Sequence, residues 1–151
     1  MVVHVLTFDE CKAVLSRSLV GRLACARDGQ PYIVPIFIWF DDQSSCLYGF
    51  SPVGRKVEWM RRNPKVCVEV EEIDDPLHWT TVLVTGRYDE IGDEHEADAL
   101  RQRAQELLEQ HQTWWLPATA NLSTGEERER VVFYRIHVVA MSGRRTTRPP
   151  A

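Results

Sequence analysis

The sequence predicts a mainly β protein with flanking helices: an antiparallel sheet of about six strands, closed as a barrel, with the helices packed outside. Three features carry this prediction. Short stretches rich in β-branched and aromatic residues recur along the chain, the first of them joined by tight turns. The first three strands leave no room between them for the crossover helices that parallel neighbours need. Helical periodicity is confined to two or three stretches that do not alternate with the strands. The 151 residues suit one domain.

Thr7-Phe8-Asp9-Glu10 is a capping box, with Thr7 as the cap and Glu10 reaching back. Phe8, Cys11, Val14 and Leu15 follow at helical spacing, so a short amphipathic helix is expected to run to about Ser18. Residues 19–26 read as a strand. Asp28-Gly29 marks a tight turn, because glycine takes positive φ without strain, and residues 31–40 form the partner strand of a hairpin. A polar turn at 41–45 leads to a third strand over 46–50. Ser51-Pro52-Val53-Gly54 breaks that strand, and 55–62 form a short helix ended by Asn63-Pro64.

In residues 65–73, Val66, Val68 and Val70 alternate with Cys67, Glu69 and Glu71, the pattern of a half-exposed strand. A loop at 74–76 precedes a long strand over 79–91 that is expected to bend at Gly86. Residues 93–111 form the strongest helix: acidic residues crowd its start, and Ala97, Leu100, Ala104, Leu107 and Leu108 make one apolar stripe. Residues 113–127 read as irregular and 131–141 as the last strand. From Gly143 the chain is basic and proline-ended. The domain is expected to cover residues 1–145, and 146–151 to be a flexible tail.

A hydrophobic content of 44% with 26% charged residues is a globular balance. The net charge of -4 argues against a chain that coats nucleic acid. No apolar run approaches the roughly 18 residues of a membrane span, and no secretory signal opens the chain, so a cytoplasmic location is expected. The four cysteines show no CxxC pair and read as small buried hydrophobes. His95 stands among acidic residues without HExxH spacing, and no metal site is expected.

Chemistry is concentrated in residues 47–56. There a strand ends, Ser51 supplies a hydroxyl, a glycine turn frees backbone N–H groups, and a helix begins with Arg55 and Lys56. These are the parts of an anion site: helix-end donors, a favourable dipole and compensating charge. Arg55 is suited to a forked grip on a phosphate, and Lys56 to a point charge. Neither GxxxxGK[ST] nor GxGxxG is present. The plainer reading of the same residues is a turn with two solvated cations.

Several segments, in order, resemble the pyridoxamine 5'-phosphate oxidase-like family of flavin-binding split barrels, especially its small branch with nitroimidazole-resistance proteins. They are Gly21-Arg22-Leu23-Ala24, Pro31-Tyr32-Ile33-Val34-Pro35, Tyr48-Gly49-Phe50-Ser51, Gly54-Arg55-Lys56 and Asn63-Pro64-Lys65-Val66-Cys67. Trp79-Thr80-Thr81-Val82, Val84-Thr85-Gly86-Arg87, Val132-Phe133-Tyr134-Arg135-Ile136 and Ser142-Gly143-Arg144 continue the series. The resemblance covers roughly residues 5 to 145.

The resemblance implies a six-stranded split β-barrel that forms a homodimer and holds FMN between the subunits. Ser51, Arg55 and Lys56 would bind the FMN phosphate. The backbone of Val34, Pro35, Ile36 and Phe37 would run along the isoalloxazine edge, Tyr48 and Phe50 would line the cleft, and Thr81 would donate to the ring or ribityl chain. Trp115 would cover the flavin from the partner subunit or, with Trp114, anchor the loop after the long helix. The dimer expectation rests mainly on the resemblance, aided by five tryptophans in a small barrel.

Two departures bear on the reaction. Arg135 and His137 echo the substrate-phosphate pair of true pyridoxamine-phosphate oxidases, but the sequence that follows the pair in those enzymes is absent here. Nitroimidazole-reducing relatives carry a histidine near the end of the third strand, where this chain has Phe50. The resemblance implies an oxidoreductase that passes hydride or electrons through its flavin to an unknown small molecule, with no catalytic side chain identified. The alternative is a non-catalytic protein that stores or senses FMN, haem or deazaflavin F420.

Overall fold

The computed structural model describes residues 1–110 and 131–147. Among them seven strands and three helices follow in the order β1 (Val2–Val5), α1 (Phe8–Arg17), β2 (Val20–Arg27), β3 (Gln30–Asp41), β4 (Cys46–Pro52), α2 (Arg55–Arg62), β5 (Lys65–Asp75), β6 (His78–Glu90), α3 (Glu94–Gln110) and β7 (Val131–Thr147). Every strand pairing is antiparallel. Six strands close into a ring in the order β7-β4-β3-β2-β5-β6, sealed by β6 against β7, and β1 is added beside β7. The expected antiparallel barrel is therefore present, with a seventh strand.

Local chemistry explains the bounds that the sequence predicts well. Thr7 caps α1 with both halves of the capping box formed. The β2–β3 turn places Asp28 at φ 51° and Gly29 at φ 78°, the left-handed pair that a two-residue hairpin needs. Asn63 caps the end of α2. On β5, Val66, Val68 and Val70 are buried and their neighbours are not, as the alternation requires. Cys67 lies on the partly exposed face, whereas Cys11, Cys25 and Cys46 are buried.

Two apolar clusters organise the molecule. The barrel interior holds Leu23, Ile36, Ile38, Leu47, Val68, Val84, Tyr134 and Ile136, and Leu15 of α1 and Met60 of α2 join the same cluster. A second cluster lies outside the wall, where α3 lays Ala97, Ala104 and Leu107 over Phe37, Trp39, Phe50 and Phe133. Trp39 is buried there, and Trp59 packs against the interior cluster, so two of the three tryptophans among the described residues pack within the chain.

The last strand departs from expectation. It does not end at residue 141 but runs to Thr147, so Thr146 and Thr147 belong to a strand. Val2 to Val5 pair with Thr147 to Arg144, and Thr80 pairs with Arg145. Thr146 is buried; its hydroxyl donates to Leu77 O at 2.9 Å and accepts from Trp79 N at 3.1 Å. Arg145 reaches Glu10 at 3.2 Å and so ties α1 to the barrel. The irregular segment expected at 113–127 lies outside the described residues.

Candidate functional site

The ring of strands is incomplete at one place. β3 pairs with β2 from Gln30 to Phe37, but with β4 only from Ile38 to Asp41. β4 continues past that point as Phe50, Ser51 and Pro52, paired only with β7. Among the described residues, then, the β4-facing edge of residues 30–37 has no ladder partner, and the barrel wall is split there.

Which main-chain groups face the split follows from register. Ile38 N–H donates to Leu19 O at 3.0 Å, so even-numbered residues of this stretch turn their main chain toward β2. Odd-numbered residues turn theirs to the open edge. Two of these are Pro31 and Pro35, which have no N–H to leave unpaired, as suits an edge. Of the four residues expected to border a flavin, Pro35 thus presents a carbonyl and Phe37 both an N–H and a carbonyl. Val34 and Ile36 present none, and the Ile36 side chain is buried in the barrel.

α2 begins two residues beyond β4, close to this edge. Its N-cap, Gly54, makes no side-chain hydrogen bond, so the first N–H groups of the helix are left for another acceptor. Arg55 is exposed, and its guanidinium lies 5.4 Å from the centre of the Tyr32 ring. Lys56 is partly buried. Burial pushes its ammonium below the ordinary lysine value, and the neighbouring Cys25 thiol only partly counters this. Among the described residues neither cation has an ion-pair partner. Two adjacent uncompensated cations at a free helix start are a receptor for an anion.

The other expected residues are placed less uniformly. Ser51 is buried, and its hydroxyl donates to Pro52 O at 2.7 Å, so its proton is already committed. Tyr48 stacks on Trp39 with ring centres 5.7 Å apart. Phe50 sits between Phe37 and Phe133 at 5.6 Å from each, covered by α3. Thr81 pairs with Glu71 and Arg144 on the outer wall. From β3 to β6 is three strand spacings, about 14 Å, so one chain does not bring Thr81 to the split. Trp115 lies outside the described residues.

Arg135 and His137 share a face, as their spacing predicts, but both are engaged elsewhere. Arg135 donates to Asp89 at 2.8 Å and to Glu96 of α3 at 2.9 Å. The two His137 ring nitrogens lie 3.4 Å from Asp89 and from Cys46. Sequence reasoning missed Tyr32, whose ring meets Arg55. The signal was present in the prolines: residues 31 and 35 mark an open edge, and Tyr32 faces inward between them.

The sequence matches the family model for pyridoxamine 5'-phosphate oxidase over residues 7–145. It is 42% identical over 117 residues to an uncharacterized protein from Rhizobium meliloti, covering 78% of this chain and 76% of the relative. Among solved structures, it is similar to an FAD-binding protein from Mesorhizobium loti, with 41% identity, a TM-score of 0.80, and 97% and 100% of the two chains covered. A candidate 5-nitroimidazole antibiotic resistance protein from Bacteroides thetaiotaomicron shares the fold at 16% identity and a TM-score of 0.65, over 95% of this chain and 89% of that one.

Proposed function

The chain belongs to the pyridoxamine 5'-phosphate oxidase family, and on that premise we propose that it is a flavoprotein that binds FMN as a homodimer and acts as an oxidoreductase on a small molecule. The observation that carries the flavin reading is the pair of uncompensated cations, Arg55 and Lys56, at the free start of α2 and beside the open edge of β3. Such a pair fits a terminal phosphate, and the edge beside it fits the polar rim of a flat heterocycle.

In this reading Arg55 and Lys56 hold the phosphate together with the first N–H groups of α2. Ser51 braces the turn through its bond to Pro52 O. Pro35 and Phe37 present main-chain groups to the ring edge. Thr81 acts from the partner subunit, since within one chain it lies across the wall. Tyr48 and Phe50, packed with Trp39 and Phe37, stiffen the wall behind the cleft. The flavin supplies the hydride or electron transfer, and the protein supplies binding, orientation and exclusion of water.

A second reading, cofactor binding without catalysis, is favoured by one feature. The acid–base groups that the sequence suggested for the reaction are not available: Phe50 is apolar, and Arg135 and His137 are tied to Asp89, Glu96 and Cys46. FAD is the competing flavin, since the Mesorhizobium loti relative is described as binding it.

Titration of purified protein with riboflavin, FMN and FAD separates these readings. FMN is expected to bind tightest. Lys56→Ala is expected to weaken FMN by about 10- to 100-fold, the loss of one charge-assisted contact, while sparing riboflavin. A colourless protein indifferent to all three flavins would overturn the proposal. Flavin that binds but is never reduced by NADH or NADPH would favour the non-catalytic reading.

A further inference from the structure

Five of the described arginines are fixed by carboxylates from other elements. Arg17 is held by Glu72, Arg22 by Glu71, Arg61 by Glu90, Arg135 by Asp89 and Glu96, and Arg145 by Glu10. Arg55 differs. Its neighbour is the face of Tyr32, at 5.4 Å from guanidinium to ring centre, and no carboxylate accompanies it among the described residues.

The ring itself is held firmly. Tyr32 meets Trp59 with centres 5.7 Å apart and planes at 58°. Trp59 lies one turn beyond Arg55 on α2, so the same ring touches two side chains on one face of the helix. On the strand, Tyr32 is directly opposite Cys25, whose thiol is near enough to Lys56 to act on its charge. The first turn of α2 therefore meets the Tyr32 ring through Arg55, and burial pushes the Cys25 thiol toward its neutral form. The Tyr32 hydroxyl makes no hydrogen bond among the described residues, which leaves the ring face as the working part of the side chain.

The physical consequence lies in what each kind of partner leaves over. A carboxylate that fixes a guanidinium also cancels its charge and occupies its fork of donors. An aromatic face fixes it through the ring quadrupole and leaves the charge and the in-plane N–H groups free. We infer that Tyr32 is a positioning residue for the anion site: it holds Arg55 in place for a phosphate without neutralising it. This inference rests on the phosphate-binding reading given above, and it adds a residue and a mechanism to that reading.

The test compares FMN and riboflavin affinities, by quenching of flavin fluorescence, in the wild type, Tyr32→Phe, Tyr32→Leu, Arg55→Gln and the double variant. Tyr32→Phe is expected to keep the wild-type preference for FMN over riboflavin. Tyr32→Leu is expected to lower FMN affinity about 3- to 10-fold with riboflavin affinity unchanged. In the Arg55→Gln background the same Leu substitution is expected to have no further effect. Equal loss of FMN and riboflavin in Tyr32→Leu would make the role purely structural and overturn the inference. So would full additivity of the two substitutions, or a Phe variant as weak as the Leu variant.

Should the Leu variant fail to fold, Tyr32→Ile keeps a strand-forming residue without the ring and answers the same question. If the wild type binds neither flavin, the flavin reading fails by itself, and coupling between Tyr32 and Arg55 is measured on inorganic phosphate by calorimetry. Coupling there sustains the positioning role, and absence of phosphate binding overturns it.

Discussion

Glu90 accepts hydrogen bonds from Arg61 at 2.7 and 2.8 Å and from the Tyr88 hydroxyl at 2.9 Å. These donors, Arg61 foremost, hold its carboxyl below the ordinary value of 4.5 despite partial burial. A group depressed in the folded state contributes stability above its unfolded pKa and loses it as pH falls through the folded one. Glu90→Gln is accordingly expected to cost no more than about 1 kcal/mol at neutral pH, because the pair is partly solvated. The difference from wild type should shrink at acid pH, as the pH falls through the depressed folded-state value and the wild-type carboxylate is protonated as well. Urea unfolding at the two pH values measures this. A deficit that stays constant with pH would assign the contact to packing instead of charge.

At the scale of elements, β6 and β7 form the longest pairing, and it is interrupted between Thr85 and Gly86. The sequence signalled this bend through one glycine in a long apolar strand. A Cβ at Gly86 would come within 2.5 Å of Ile136 Cγ2 and 2.7 Å of His137 O. Since a main-chain oxygen cannot yield as a side chain can, Gly86→Ala is expected to destabilise by about 1–3 kcal/mol, read as a lowered urea midpoint. The bounds of α2 were equally legible, because Gly54 and Asn63-Pro64 punctuate it. β1 was not legible. All four of its residues are exposed, so no burial alternation reveals a strand, and its partner lies about 140 residues away. The end of β7 was hidden for a related reason: Ser142 to Thr147 is polar, and its ordered state depends on Leu77, Trp79 and Glu10, contacts that no local pattern announces.

For the whole molecule, the same contrast holds at the site. Arg55 and Lys56 could be read from the sequence because a helix start, a glycine and two cations are adjacent in the chain. Tyr32 could not be read as their neighbour, since it meets them only when β3 and α2 pack on the barrel. Thr81 illustrates the limit of a single chain, lying three strands from the open edge of β3. The proposed homodimer predicts a sedimentation coefficient of two chains at micromolar concentration, and a monomer there would remove the role given to Thr81. A hundredfold excess of FMN over its Kd is expected to stabilise the fold by about 2.7 kcal/mol, seen as a raised melting temperature.

The closing of the ring by β7 has a consequence for how the protein is made. β7 is the most C-terminal of the described strands, yet it is the partner of β1, β4 and β6 together. While a ribosome is still extending the chain, β4 and β6 carry bare edges that can recruit strands from neighbouring nascent chains. The barrel cannot form cotranslationally from its N-terminal part alone; it snaps shut only after β7 emerges, through contacts of large sequence separation that form slowly. Biosynthesis therefore passes through an open, adhesive sheet, and the yield of native protein depends on how well the cell shelters it during that interval.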